Sequence, residues 1–165
     1  MTDDTAFTRA AGEGRRRTMA RIGHLIPRKQ VEIERAVRLL RAHFISHRRR
    51  APKRGTIHQI MLVGPYARPG DRPYREKGEI NGYDLWAFVD HAAYKGKNRY
   101  WGLAQRAVAM ALRGRAEITL SVFTIDEIDR LRQARNRFLT DQYDGGVILY
   151  DRAADSGVPP SGEDG

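Results

Sequence analysis

The sequence predicts an α/β (α+β) domain: a small mixed β-sheet with flanking helices. Three observations carry this. Apolar residues recur at helical spacing over 27–47 and 98–113. Four short apolar or alternating runs, 57–63, 84–90, 116–123 and 147–150, have strand length. Their order along the chain is helix, strand, loop, strand, helix, strand, helix, strand, which interleaves the two types in one layered unit. A length of 165 residues fits one such domain with tails, and an apolar content of 41% supplies a modest core.

Residues 1–23 are polar, rich in glycine and arginine, and without periodicity, which predicts a disordered basic arm. The domain proper is expected over 24–152. Pro27 suits a first helical turn, and Ile33, Val37, Leu40 and Phe44 form one stripe. A basic linker, Arg48 to Gly55, follows. Ile60-Met61-Leu62-Val63 ends a buried strand at Gly64. The stretch 69–82 holds Pro69, Gly70, Pro73, Gly78 and Gly82 and reads as a long loop, with room for a short helix near Ala67. On the next strand Leu85, Ala87 and Val89 face one way, and Asp84, Trp86 and Phe88 the other. Trp101, Ala104 and Val108 share a helix face, so Trp86 and Trp101 both read as core. Ile118, Leu120 and Val122 alternate along a third strand. Thr124-x-x-Glu127 is a capping box opening a helix to about Leu139. A short strand over 147–150 closes the domain, and 153–165 is expected as a disordered tail.

Several function classes are excluded by composition. No apolar run is long enough to span a bilayer, so no membrane partner is expected. There is no secretory signal pattern, which predicts a cytoplasmic protein. Without cysteine there are no disulfides and no thiolate metal sites. The net charge of +10 lies in the N-terminal third: residues 1–55 carry 15 basic and 5 acidic side chains, and the remainder balances. Such a block attracts phosphate backbones by counterion release. Arg15, Arg16, Arg17, Arg48, Arg49, Arg50, Lys53 and Arg54 are the candidate contacts to RNA or DNA. The competing reading is a solvated helix face and arm.

Nucleotidyl transfer requires hard oxygen ligands for magnesium and donors for a triphosphate. Carboxylates on neighbouring strands and a Gly-led turn before a helix supply these. Here Gly64-Pro65-Tyr66-Ala67-Arg68 follows the first strand, Asp84 opens the second, and Glu117 near the start of the third can reach toward Asp84.

Over roughly residues 27–151 the chain resembles nucleotidyltransferase domains of the DNA polymerase beta superfamily, of the minimal type. Gly64-Pro65-Tyr66-Ala67-Arg68-Pro69 stands where that subgroup often reads Gly-Ser-Tyr-Ala-Arg-Gly. Asn81-Gly82-Tyr83-Asp84-Leu85 stands where it reads Ser-Asp-x-Asp-Leu. Thr124-Ile125-Asp126-Glu127 and Gly146-Val147-Ile148-Leu149-Tyr150 match its final helix start and final strand. The resemblance is closest to members fused to, or encoded beside, a helical HEPN domain, pairs that often behave as toxin–antitoxin systems. It implies transfer of a nucleoside monophosphate from an NTP to a hydroxyl, with Asp84 and Glu117 as catalytic and magnesium-binding residues and Gly64, Pro65 and Arg68 at the nucleotide.

The departures weigh on activity. Pro65 replaces the motif serine and has neither hydroxyl nor N–H. Gly82 replaces the first aspartate, which weakens any Mg2+ site. Asp71 and Glu79 are possible replacement acids in the loop. The expectation is therefore a degenerate domain, weak or inactive. The alternatives are a non-catalytic partner of a HEPN-type toxin, or a nucleic-acid binder using its basic N-terminal third.

Overall fold

A computed structural model describes the backbone of residues 3–48, 55–69, 81–95 and 100–155, and the side chains of 12–46, 55–69, 82–95 and 100–155. Its elements are α1 (Asp3–Arg21), α2 (Pro27–Arg48), β1 (Ile57–Val63), β2 (Asn81–Val89), α3 (Gly102–Leu112), β3 (Ala116–Thr124), α4 (Ile125–Gln133), α5 (Arg137–Asp144), β4 (Val147–Asp151) and α6 (Arg152–Asp155), with 3-10 turns at Pro65–Ala67 and Ala92–Lys95.

The four strands form one mixed sheet in the order β3-β2-β1-β4. β1 runs antiparallel to both β2 and β4, whereas β2 and β3 are parallel. A parallel pair needs a crossover, and α3 provides it. No helix among the described residues is long and apolar enough to cross a membrane.

Alternation along the central strands divides the interior in two. Ile60 and Leu62 of β1 and Tyr83, Leu85, Ala87 and Val89 of β2 face the larger core, which α2 and α3 close with Leu40, Phe44, Trp101 and Val108. Met61, Val63, Trp86 and Phe88 face the opposite side and pack against Ile128, Leu139 and Tyr143 of α4 and α5. Both tryptophans are core residues, as their positions predict. Trp101 is fully buried, stacks on Phe44 at 4.9 Å between centroids, and donates its indole N–H to Tyr94 O at 2.8 Å.

Four sequence expectations need correction. Residues 3–23 of the expected disordered arm 1–23 carry α1 and its exit turn. Ile22 is fully buried, and the Thr18 hydroxyl donates to Leu149 O at 3.0 Å, so α1 is held against β4. The expected single helix to Leu139 is two helices. Ala134 ends α4, Arg135 takes a left-handed conformation at φ 51°, and the Asn136 side chain caps α5 by accepting from Leu139 N at 3.3 Å. Asparagine is a strong N-cap, so the break follows from local chemistry. The second strand begins at Asn81 rather than Asp84, because Asn81, Gly82 and Tyr83 pair with Ala116, Glu117 and Ile118. Of the expected tail 153–165, residues 153–155 belong to α6, which begins at Arg152; residues 156–165 and the loop 70–80, with Asp71 and Glu79, lie outside the described residues.

Candidate functional site

β1 and β2 are antiparallel, so the end of β1 meets the start of β2. Val63 stands opposite Asp84, which places Gly64 beside the Asp84 side chain. Gly64 has φ 78° and ψ −160°, a region essentially open to glycine alone. A Cβ at this position would lie 2.9 Å from Asp84 Oδ2. Glycine is therefore required twice, for the turn and for the close approach of backbone to carboxylate.

Asp84 is half-buried, and this desolvation raises its carboxyl above the ordinary value of 3.8. Among the described residues no cation or hydrogen-bond donor stands beside it to offset the burial. The linkage has a definite sign. Between 3.8 and the raised folded value the native state holds more protons than the unfolded chain, so stability falls as pH rises through that window. At pH 7 the ionised carboxylate therefore opposes folding. Asp84→Asn should raise Tm at pH 7, and the gain should shrink as pH falls toward 3.8, followed by thermal melts across a pH series. A lower Tm at neutral pH in the variant would show that the carboxylate holds a stabilising partner.

Glu117 is exposed near the start of β3. Parallel register sets it opposite Gly82, while Thr119 stands opposite Asp84. Glu117 and Asp84 share a face of the sheet but are offset by two residues, roughly 7 Å along the strands at about 3.3 Å per residue. Among the described residues a Cβ on Gly82 would meet nothing within 4 Å, so none of them fills the place of a first aspartate. Magnesium demands convergent oxygens in octahedral array. Among the described residues no group of three or more histidine, aspartate or glutamate side chains is placed to hold a metal ion. The described residues thus bring two acids to this face, Asp84 and Glu117, set apart on neighbouring strands.

The turn after β1 also offers little to a phosphate. Gly64 N donates to Gln142 Oε1 of α5 at 2.9 Å, Pro65 has no N–H, and Ala67 N donates to Gly64 O at 3.1 Å. Pro65 occupies the first position of the 3-10 turn, where its fixed φ is tolerated. Arg68 is exposed and reaches the other way: its Nη2 lies 3.4 Å from Asp141 O, and its guanidinium rests against Gly145. A cation there complements the carboxyl end of α5. Sequence reasoning missed Gln142. Nothing local announces it, since it meets Gly64 from 78 residues away.

The basic candidates are only partly described. Arg15 pairs with Glu34 at 3.8 Å, and Arg17 reaches Ala154 O at 2.8 Å and Asp155 at 3.7 Å. Arg16 is exposed. The run Arg15-Arg16-Arg17 therefore has two members engaged within the fold, each an exposed arginine on a buried carboxylate. The Arg48 side chain and all of Arg49, Arg50, Lys53 and Arg54 lie outside the described residues. Comparison of the chain with protein-family models, with curated proteins and with solved structures gives no significant match.

Proposed function

We propose that this chain is a nucleotidyltransferase-fold domain of the polymerase beta type whose transfer site is degenerate, with weak or no transfer of nucleoside monophosphate from NTP to a hydroxyl acceptor. The observation that carries the reading is the approach of Gly64 to Asp84 at the joined ends of β1 and β2, where glycine is obligatory. The motif resemblance assigns both residues to one site. Degeneracy is supported by the open space at Gly82, the offset of Glu117 from Asp84, and the donors withdrawn from the Gly64–Ala67 turn.

The test is label transfer from each α-labelled NTP with magnesium or manganese, using host lysate as acceptor. Wild type is expected to transfer little or nothing. Gly82→Asp has room for its side chain and is expected to increase transfer at least tenfold, one general-acid/base or metal-ligand contribution being worth about that or more. Asp84→Ala in the Gly82→Asp background should abolish the gain. Robust wild-type transfer that Asp84→Ala removes would overturn degeneracy and keep the site. No transfer by any form, with Gly82→Asp folded, would count against the transferase reading and favour a partner-binding domain of the antitoxin-like kind.

A further inference from the structure

A concave site lies on the opposite face of the sheet from Asp84. The first half of α2 and the end of α3 enclose a groove of about 420 Å3, within the size range of small-molecule sites. Arg28, Arg35 and Arg115 project from its walls, and Glu32 is the sole carboxylate among the residues lining it. Glu32 is buried and already committed: it accepts from the Tyr83 hydroxyl at 2.6 Å and from Arg28 Nε at 3.2 Å. Among the described residues neither Arg35 nor Arg115 has a carboxylate partner. Arg35 leans across the groove instead, its Nη1 3.5 Å from Ala111 O at the end of α3. The local balance is three guanidinium groups against one satisfied carboxylate, inside a concavity that concentrates the field. Val31, 41% exposed, and Leu112 add an apolar flank.

We propose that this α2–α3 groove binds a small phosphate-bearing ligand of nucleotide size. Planar guanidinium groups match phosphate oxygens through paired, charge-assisted hydrogen bonds, and the apolar flank suits the remainder of such a molecule. The neighbouring surface favours a small ligand over a polymer. Beyond the groove toward α1, Arg38 and Arg15 are both engaged by Glu34, so those two guanidinium groups are already committed. The site does not depend on nucleotidyl transfer. Tyr83 and Asp84 are consecutive on β2 and point to opposite faces, the first toward this groove and the second away from it.

The probes are pyrophosphate and ADP, titrated calorimetrically into the full chain at low salt. Saturable binding to one site is expected. Arg35→Ala and Arg115→Ala should each weaken it about tenfold or more, the usual effect of losing a charge-assisted hydrogen bond. Val31→Trp should weaken it by filling the groove without removing charge. Asp84→Asn should leave it unchanged, which separates this site from the one at Gly64, and added salt should lower the affinity. All of these positions except Asp84 are exposed, so thermal melts of the variants should match wild type. The proposal is overturned by absence of saturable binding at millimolar probe, by binding indifferent to all three groove variants, or by binding lost in Asp84→Asn. A single-stranded oligonucleotide that binds tighter than ADP and displaces it would also overturn the ligand class.

Discussion

Ile22→Ala should lower folding stability by about 2–5 kcal/mol, the usual cost of emptying a buried isoleucine site. For a chain of 165 residues that corresponds to a fall in Tm of roughly 5–15 °C. Ile22 is fully buried in the larger core, at the turn where α1 leaves β4 and α2 begins. Four residues earlier, Thr18→Val removes the hydroxyl from Leu149 O and should cost about 1 kcal/mol. Arg16→Ala, at an exposed position on the same helix, should change stability by no more than about 0.5 kcal/mol. The three variants together separate two pictures of the first 23 residues. Were they a loose basic arm, all three would be silent in thermal and denaturant unfolding.

Gly64→Ala is expected to cost roughly 2–4 kcal/mol, combining a conformation closed to alanine with a collision in a packed site. The collision is specific: the new methyl would stand 2.9 Å from Asp84 Oδ2. A double-mutant cycle exposes it. In an Asp84→Ala background the carboxylate is gone but the φ of 78° remains. The loss from Gly64→Ala should then be smaller by about 0.5–3 kcal/mol, the coupling typical of residues in contact. Strict additivity would mean that Asp84 does not lie against the turn, and the candidate site would lose its geometric basis. Denaturant titration at pH 7 reads all four corners of the cycle.

Much of this architecture is written in local pattern. The opposed sets Leu85, Ala87, Val89 and Asp84, Trp86, Phe88 divide between two interiors because side chains on a strand alternate. The stripe Ile33, Val37, Leu40, Phe44 is the buried face of α2. Gly64 and Asp84 were each singled out by the motif, one after the first strand and one on the second, and it is the antiparallel register of β1 and β2 that sets them side by side. What escaped is non-local. Among the described residues the polar contacts that hold α1 reach from Arg17, Thr18 and Arg21 to Leu149, Ala154 and Asp155, beside the Arg15–Glu34 pair. No periodicity in 1–23 can reveal partners more than a hundred residues away. The same holds for Gln142 on Gly64 and for Arg68 on the end of α5. Glu117 is on the expected strand and face, but register decides its distance from Asp84, and register is set by β2 and β3 together. Of the groove arginines, Arg28 and Arg35 belong to the basic N-terminal third, whereas Arg115 lies in the balanced remainder and joins them only through the tertiary packing of α3 on α2.

The division of the interior also ranks the parts of the molecule by how readily they let go. α4 and α5 contain no fully buried residue and cover only the smaller apolar cluster, whereas α2 and α3 close the larger one. Cooperative units with fewer buried apolar contacts open at lower free energy than the global unfolding reaction. In native-state hydrogen exchange the amides of α4 and α5 therefore belong to an early-opening unit, and those of β1 and β2 to a late one. Gln142 sits on the early unit yet holds the N–H of Gly64, which sits on the late one. Each excursion of α5 frees that N–H, so the turn beside Asp84 breathes with a layer that is not its own.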